Sequence, residues 1–311
     1  MSTPTPFTPL DRADDDGAGT APAPRSPGDE DTGSREIIVG VDGSECALAA
    51  VRWAAREAAG RGTSLRIVHA ATYLGRKATA GGPSPELPRA RHITAQAYTV
   101  ARHTEHDLPA DTEVVPGEPI ATLLRHGAEG ELLVLGSSTT GAADEMVLAS
   151  VALRVAARSV RPVVVVPRPR GNAAEGRPVV ALLGIGEGDD DDAVAEFAAD
   201  AAVRSGVGVT VLQTRAPGRG TASWADDPDQ WRERYPGLEV ERIDLPGASA
   251  GDVLSAASPT PLLVMSTGHG TLLHRSLDGP HRWLLRHCTS PMALVPETRR
   301  ADREPGKVTV G

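Results

Sequence analysis

Two stretches of the chain, ending in "LLVLGSSTT…RPVVVVP" and "LLVMSTGHG…SPMALVP", follow one grammar, and this repeat constrains the fold more than any other feature. The first copy opens on "REIIVGVDGS", an apolar run closed by Asp-Gly-Ser. A helix follows in which Leu48, Val51, Trp53 and Ala54 share one face, and it is expected to stop at Gly60. Then come strand "SLRIVHA", a Gly/Pro-rich loop (75–88), a helix across 89–107, strand "DTEVVPGEP", helix "IATLLRHGAEG", strand "ELLVLGS", helix "EMVLASVALRVAARS" and strand "RPVVVVP". Short, wholly apolar strands separated by helices predict parallel pairing buried on both faces.

The second copy runs in the same order. Strand "RPVVALLGIGEG" leads to helix "DDAVAEFAADAAVRSG", strand "GVTVLQT", a loop with a helix (215–235) and strand "LEVERIDLP". Helix "SAGDVLSAAS", strand "PLLVMST", a helix around 280–288 and strand "PMALVP" complete it. Two copies of one parallel α/β unit suit 311 residues, a length that favours about two domains. The boundaries read as an acidic disordered tail over 1–34, a first domain over 35–168, a linker over 169–176, a second domain over 177–297 and a disordered tail over 298–311. The tails are too poor in apolar side chains to offset their ordering entropy.

Composition narrows the function. Apolar residues make up 40% and aromatics only 3%, so the core is aliphatic. A net charge of −9 repels a phosphate backbone, which argues against nucleic-acid and anionic-membrane partners. No run is long and apolar enough to cross a bilayer, and no basic segment leads into an apolar one at the N-terminus, so a soluble cytoplasmic protein is expected. Cys46 and Cys288 stand far apart in no metal-like spacing and read as buried, inert thiols in a reducing compartment.

In an open parallel sheet, ligands sit beyond the carboxyl ends of the strands at the switch in strand order. Asp42, after the first strand, and the loop from Gly136, after the fourth, lie there. Asp42 suits a ribose or an adenine amino group as a hydrogen-bond acceptor. The alternative is that Asp-Gly-Ser makes the turn and caps the next helix through Ser44 or Asp42. The residues alone leave both readings open.

Asp42, "VVPGEP", and a loop of the form Gly-x-x-Thr-(nine residues)-Ala-Ser together resemble the universal stress protein family, as do "GEPIATLLRHGAEGELLVLG" and, in copy two, "HCTSP". The family loop is Gly-x-x-Gly, nine residues, then Gly-Ser or Gly-Thr, and ATP-binding members hold phosphates and ribose with it. The resemblance spans about 35–168 and 177–297. It implies two tandem flavodoxin-like (HUP-type) domains, each an open five-stranded parallel sheet with helices on both faces, and an internal pseudo-dimer formed through the last strands. It also implies an ATP or AMP site built from Val41, Asp42, Val68, Gly136, Ser138, Thr139, Ala149, Ser150 and Val151.

The departures from the family pattern fall in that loop. Gly136 and Ser150 keep the frame, whereas Thr139 and Ala149 replace two glycines that would allow positive φ and close phosphate approach. Two outcomes stay open for copy one: a weakened nucleotide site, or a nucleotide-free scaffold for a protein partner or homodimer.

Copy two departs further. Ser266, His269 and Pro280 stand where Gly, Gly and Ser would be, and ungapped alignment puts Gly186 opposite Asp42. It is expected to be a non-binding structural partner. Its "GIGEGD" imitates a dinucleotide fingerprint, but Asp189 takes the third glycine position, and the Asp189–Asp192 run suits a helix N-terminus better than a divalent metal. His269, His274, His281 and His287 read as scattered surface histidines, and His69, at the end of strand two near the presumed adenine pocket, as a packing residue. No nucleophile–base pair or ATP-hydrolysing signature stands out, so no catalysis is expected.

Overall fold

In the computed structural model, the described residues are 36–72, 86–137, 145–168, 174, 176–185, 191–215, 223–267 and 279–296, with side chains of 145–150 excepted. The first copy supplies β1 (Glu36–Gly40), α1 (Glu45–Arg61), β2 (Ser64–Ala71), α2 (Glu86–Thr104), β3 (Ala110–Pro116), α3 (Pro119–Glu129), β4 (Leu132–Ser137), α4 (Glu145–Ala156) and β5 (Val163–Pro167). The second supplies β6 (Val179–Leu183), α5 (Asp191–Ser205), β7 (Val209–Gln213), a 3-10 turn (Trp224–Asp226), α6 (Pro228–Arg234), β8 (Val240–Asp244), α7 (Ala250–Ala257), β9 (Leu263–Ser266), α8 (Gly279–His287) and β10 (Met292–Val295).

Helix α1 shows how local chemistry sets its ends. Ser44 caps it, its hydroxyl accepting from the Ala47 amide at 3.1 Å. It runs past the expected stop at Gly60, which meets nothing around it, and ends at Gly62, whose φ of +64° is the left-handed cap that glycine fits best. The buried face, Ala47, Ala50, Val51, Ala54 and Ala58, is nearly all alanine, so the helix lies close on the sheet. Helix α2 begins before residue 89 because Pro88 falls in its first turn, where no backbone donor is needed.

All ten strands join one sheet in the order β3-β2-β1-β4-β5-β10-β9-β6-β7-β8. Within each half the pairs are parallel and the local order is 3-2-1-4-5. Each half is therefore the α/β unit expected, but its order is that of a dinucleotide fold and not the flavodoxin order 2-1-3-4-5. The halves meet through their last strands: β5 and β10 pair antiparallel, Val164 opposite Ala293. Val163–Val166 are all buried, and a free β5 edge would leave a long, flat apolar template open to other chains.

One apolar layer packs α1, α2 and α5 on one face of the sheet, and a second packs α3, α4, α7 and α8 on the other. Glu57 of α1 accepts from Arg61 at 2.8 Å and from Arg204 of α5 at 2.9 Å, tying the halves together above the seam. Cys46 and Cys288 are both buried and unbridged, and burial pushes the Cys288 thiol up, away from reactive thiolate. Among the described residues no helix is long and apolar enough to cross a membrane.

Candidate functional site

The chain leaves β1 for β2 and β3 on one side, then returns to β4 on the other, so the switch in strand order falls between β1 and β4. There, beyond the carboxyl ends of β1, β2 and β4, lies a cleft of about 600 Å³ that is open to solvent. Its walls are buried and apolar: Val41 after β1, Val68 on β2, Leu123 on α3, Leu135 on β4 and Ala152 on α4. Pro119 brings the first turn of α3 against it, and Ala47 does the same for α1. Among the described residues, polar side chains enter at two points, Asp42 and His69.

Asp42 is exposed at the rim, and its Oδ1 accepts from the Ser44 amide at 2.9 Å. Ser44 does the capping, so the two sequence readings of Asp-Gly-Ser combine: the turn and cap are present, and the carboxylate still borders the cleft. Val41 is fully engaged through its backbone. Its amide donates to the Val68 carbonyl at 2.9 Å, and its carbonyl accepts from His69 Nδ1 at 2.7 Å.

Gly136 lies inside strand β4, opposite Val166. A Cβ there would sit 2.4 Å from the Cys46 carbonyl carbon and 2.6 Å from the Ala47 nitrogen. Its missing side chain thus admits the first turn of α1 against the end of β4. That is a packing demand the sequence reading did not foresee.

Of the nine site residues named from sequence, Val41, Asp42, Val68, Gly136 and Val151 line this one cleft. Ser138 and Thr139 lie outside the described residues, as do the side chains of Ala149 and Ser150. His69, expected near the pocket as a packing residue, borders the cleft half-buried and is hydrogen-bonded to Val41. The signal was a lone polar side chain closing an apolar strand at its ligand-facing end.

At the corresponding strand ends of copy two, the described side chains bond to one another. Val180 pairs with Leu263 as Ile38 pairs with Leu133, so Gly184 stands opposite Asp42. The expected counterpart Gly186 lies outside the described residues, and more residues separate β6 from α5 (184–190) than β1 from α1 (41–44), which ungapped alignment cannot accommodate. Gly184 has φ +69°, and a Cβ there would collide with Gln213 Oε1 at 2.5 Å and Arg215 Cβ at 2.6 Å. Asp191, 3% exposed, accepts from the Gly184 amide at 3.0 Å and from Arg215 Nη1 at 2.9 Å. Asp192 accepts from the Ser223 hydroxyl and from the Trp224 amide at 3.0 Å. The two acids serve separate protein donors in the first turn of α5, and among the described residues no group of three or more potential ligands converges to hold a metal.

Two further histidine assignments resolve. His281 is fully buried in the first turn of α8, contrary to its reading as a surface residue, because that turn faces the apolar layer. His287 is exposed, stacked on Trp283 at 4.1 Å. His269 and His274 lie outside the described residues.

Residues 33–167 match the family model described as the universal stress protein family. A universal stress protein of Mycobacterium tuberculosis is 27% identical over 286 residues, covering 83% of this chain and 96% of its own. A second from the same organism is 28% identical over 300 residues, covering 83% and 94%. The crystal structure of a universal stress protein from Archaeoglobus fulgidus matches 86% of this chain and 97% of that one with a TM-score of 0.64, at 14% identity, a likeness of fold.

Proposed function

Because the chain belongs, by its first copy, to the universal stress protein family, we propose that it binds one adenine nucleotide, ATP or AMP, in the cleft of that copy. Val41 and Asp42 face the base and ribose. Gly136, with Ser138 and Thr139, approaches the phosphates, and Ser150, which lies in the second turn of α4 and not at the helix start expected from sequence, donates through its hydroxyl beside Ala149 and Val151. The second copy, over 177–297, is a non-binding structural partner of the first, over 35–168. The protein acts in the cytoplasm by binding and association, without catalysis and without a nucleic-acid or membrane partner.

The observation that supports this reading is the open cleft at the switch in strand order with Asp42 at its rim, set against copy two, where Arg215 and Asp191 pair at the corresponding strand ends. Calorimetric titration of ATP and AMP into the full chain tests it. Micromolar binding with one site per chain, lost in Asp42→Ala, is the expected result. Release of ADP over time would replace binding by catalysis.

One observation favours a second reading, the nucleotide-free scaffold. The Val41 amide is bonded to the Val68 carbonyl, so it does not donate to a base, and Thr139 and Ala149 replace two loop glycines. Absence of heat from both nucleotides at millimolar concentration selects it.

A further inference from the structure

We propose that His69 sets the base specificity of the cleft, selecting a ligand that presents an exocyclic amine over one that presents a carbonyl oxygen at the same place. The inference rests on the nucleotide reading above and extends it to the residue that distinguishes 6-aminopurines from 6-oxopurines.

The tautomer follows from the partner. A carbonyl oxygen only accepts, so the ring nitrogen 2.7 Å from the Val41 carbonyl carries the proton. In the neutral ring Nε2 is then an acceptor. It has no hydrogen bond among the described residues. The surrounding walls, Val68, Leu123 and Leu135, are buried and apolar, and among the described residues they offer that acceptor no donor. A ligand N–H satisfies it, whereas a ligand carbonyl sets two acceptors face to face.

Copy two shows what the same position does when no ligand is expected. Gln213 holds the register of His69, since Leu212 pairs with Leu182 as Val68 pairs with Gly40. Both ends of that side chain are used inside the protein: Nε2 donates to Asp226 at 2.8 Å, and Oε1 accepts from the Arg215 amide at 3.2 Å. His69 uses one end and leaves the other.

Strand order assigns the base to this end of the cleft. β1 lies between β2 and β4, so His69 and Gly136 stand two strand spacings apart, roughly 10 Å. That separation suits a nucleotide whose phosphates lie toward the β4 loop and whose base reaches β2.

The test is titration of the full chain with AMP, IMP, dAMP and purine riboside 5′-monophosphate, which carries hydrogen in place of the amine. Wild type is expected to bind AMP at least tenfold tighter than either IMP or the purine analogue. His69→Phe, which keeps a ring but removes the acceptor, is expected to bring AMP and IMP within twofold of each other. The ratio, not the absolute affinity, is the readout, because lost packing weakens both ligands alike. Equal binding of AMP, IMP and the purine analogue by wild type overturns the role of His69 and leaves the nucleotide site standing. So does an AMP-to-IMP ratio unchanged in His69→Phe, or a defect confined to dAMP, which would assign Nε2 to the ribose. Failure of every ligand to bind overturns both readings. The purine analogue needs no variant, so the proposal stays falsifiable if His69→Phe does not fold.

Discussion

Asp42 and Gly184 hold one register position in two copies of the same unit, and the chain treats them in opposite ways. In the first copy a carboxylate stands at the rim and the space behind it is open. In the second a glycine at φ +69° lets Arg215 and Gln213 fold over the strand ends, and the buried Asp191 closes the place from the helix side. The backbone scaffold is shared, so the difference between the open and the closed end rests on a few side chains at the strand ends. A closed end still has to satisfy the polar groups there, and the ion pair of Asp191 with Arg215 does so.

The largest expected effect breaks the closed end. Arg215→Ala leaves the nearly buried Asp191 carboxylate without its cation and should lower stability by about 3–5 kcal/mol, read by urea unfolding of the full chain. A loss below about 1 kcal/mol would mean that Asp191 is held chiefly by other donors.

Exchange at the next equivalent pair should be asymmetric. Gly136→Ser carries into copy one the residue that Ser266 provides in copy two, and its Cβ would meet the backbone of α1. A loss of about 3 kcal/mol is expected. Ser266→Ala removes a buried hydroxyl that has no partner among the described residues and should leave stability unchanged or slightly raised in the same assay.

At the open end the effect moves from stability to binding. Asp42→Ala alters an exposed side chain, so unfolding should shift by no more than about 0.5 kcal/mol. AMP affinity should fall at least tenfold, about 1.4 kcal/mol, by calorimetry. Equal AMP affinity in wild type and variant would reduce Asp42 to a turn residue.

The smallest effect should be the same in both halves. Ser44→Ala removes the cap of α1, and Ser249→Ala removes a capping box in which the Ser249 hydroxyl and amide hold the Asp252 carboxyl below its usual range. Each should cost about 1 kcal/mol in unfolding experiments, with base selectivity untouched. A much larger loss in one half would show that half to be the less stable of the two.

The repeat and the strand positions were legible because runs such as Val163–Val166 have no other place than a sheet covered on both faces. Strand order was not, since an apolar strand carries no mark of which neighbour it pairs with. The equivalence of Gly186 with Asp42 failed because ungapped alignment assumes turns of equal length, and pairing register corrects it to Gly184. Asp42 and Gly136 could be placed from the strand ends and Val41, Val68 and Val151 from the family resemblance, but the engagement of the Val41 backbone and the partner of His69 depend on distances between strands that no local pattern encodes. Gly136 was legible as a required glycine, while the reason seen in the structure, the approach of α1, is a tertiary fact.

The pairing of β5 with β10 has a kinetic consequence. Because both strands belong to one polypeptide, their association is first order, governed by an effective concentration that dilution does not lower. A pair of separate domains joined along this edge would come apart as expression falls, whereas here the second half remains at its post in a single molecule. Its β10 edge thereby covers the apolar β5 strand at every concentration, whatever stands at its own strand ends, where Gly184 takes the register position of Asp42.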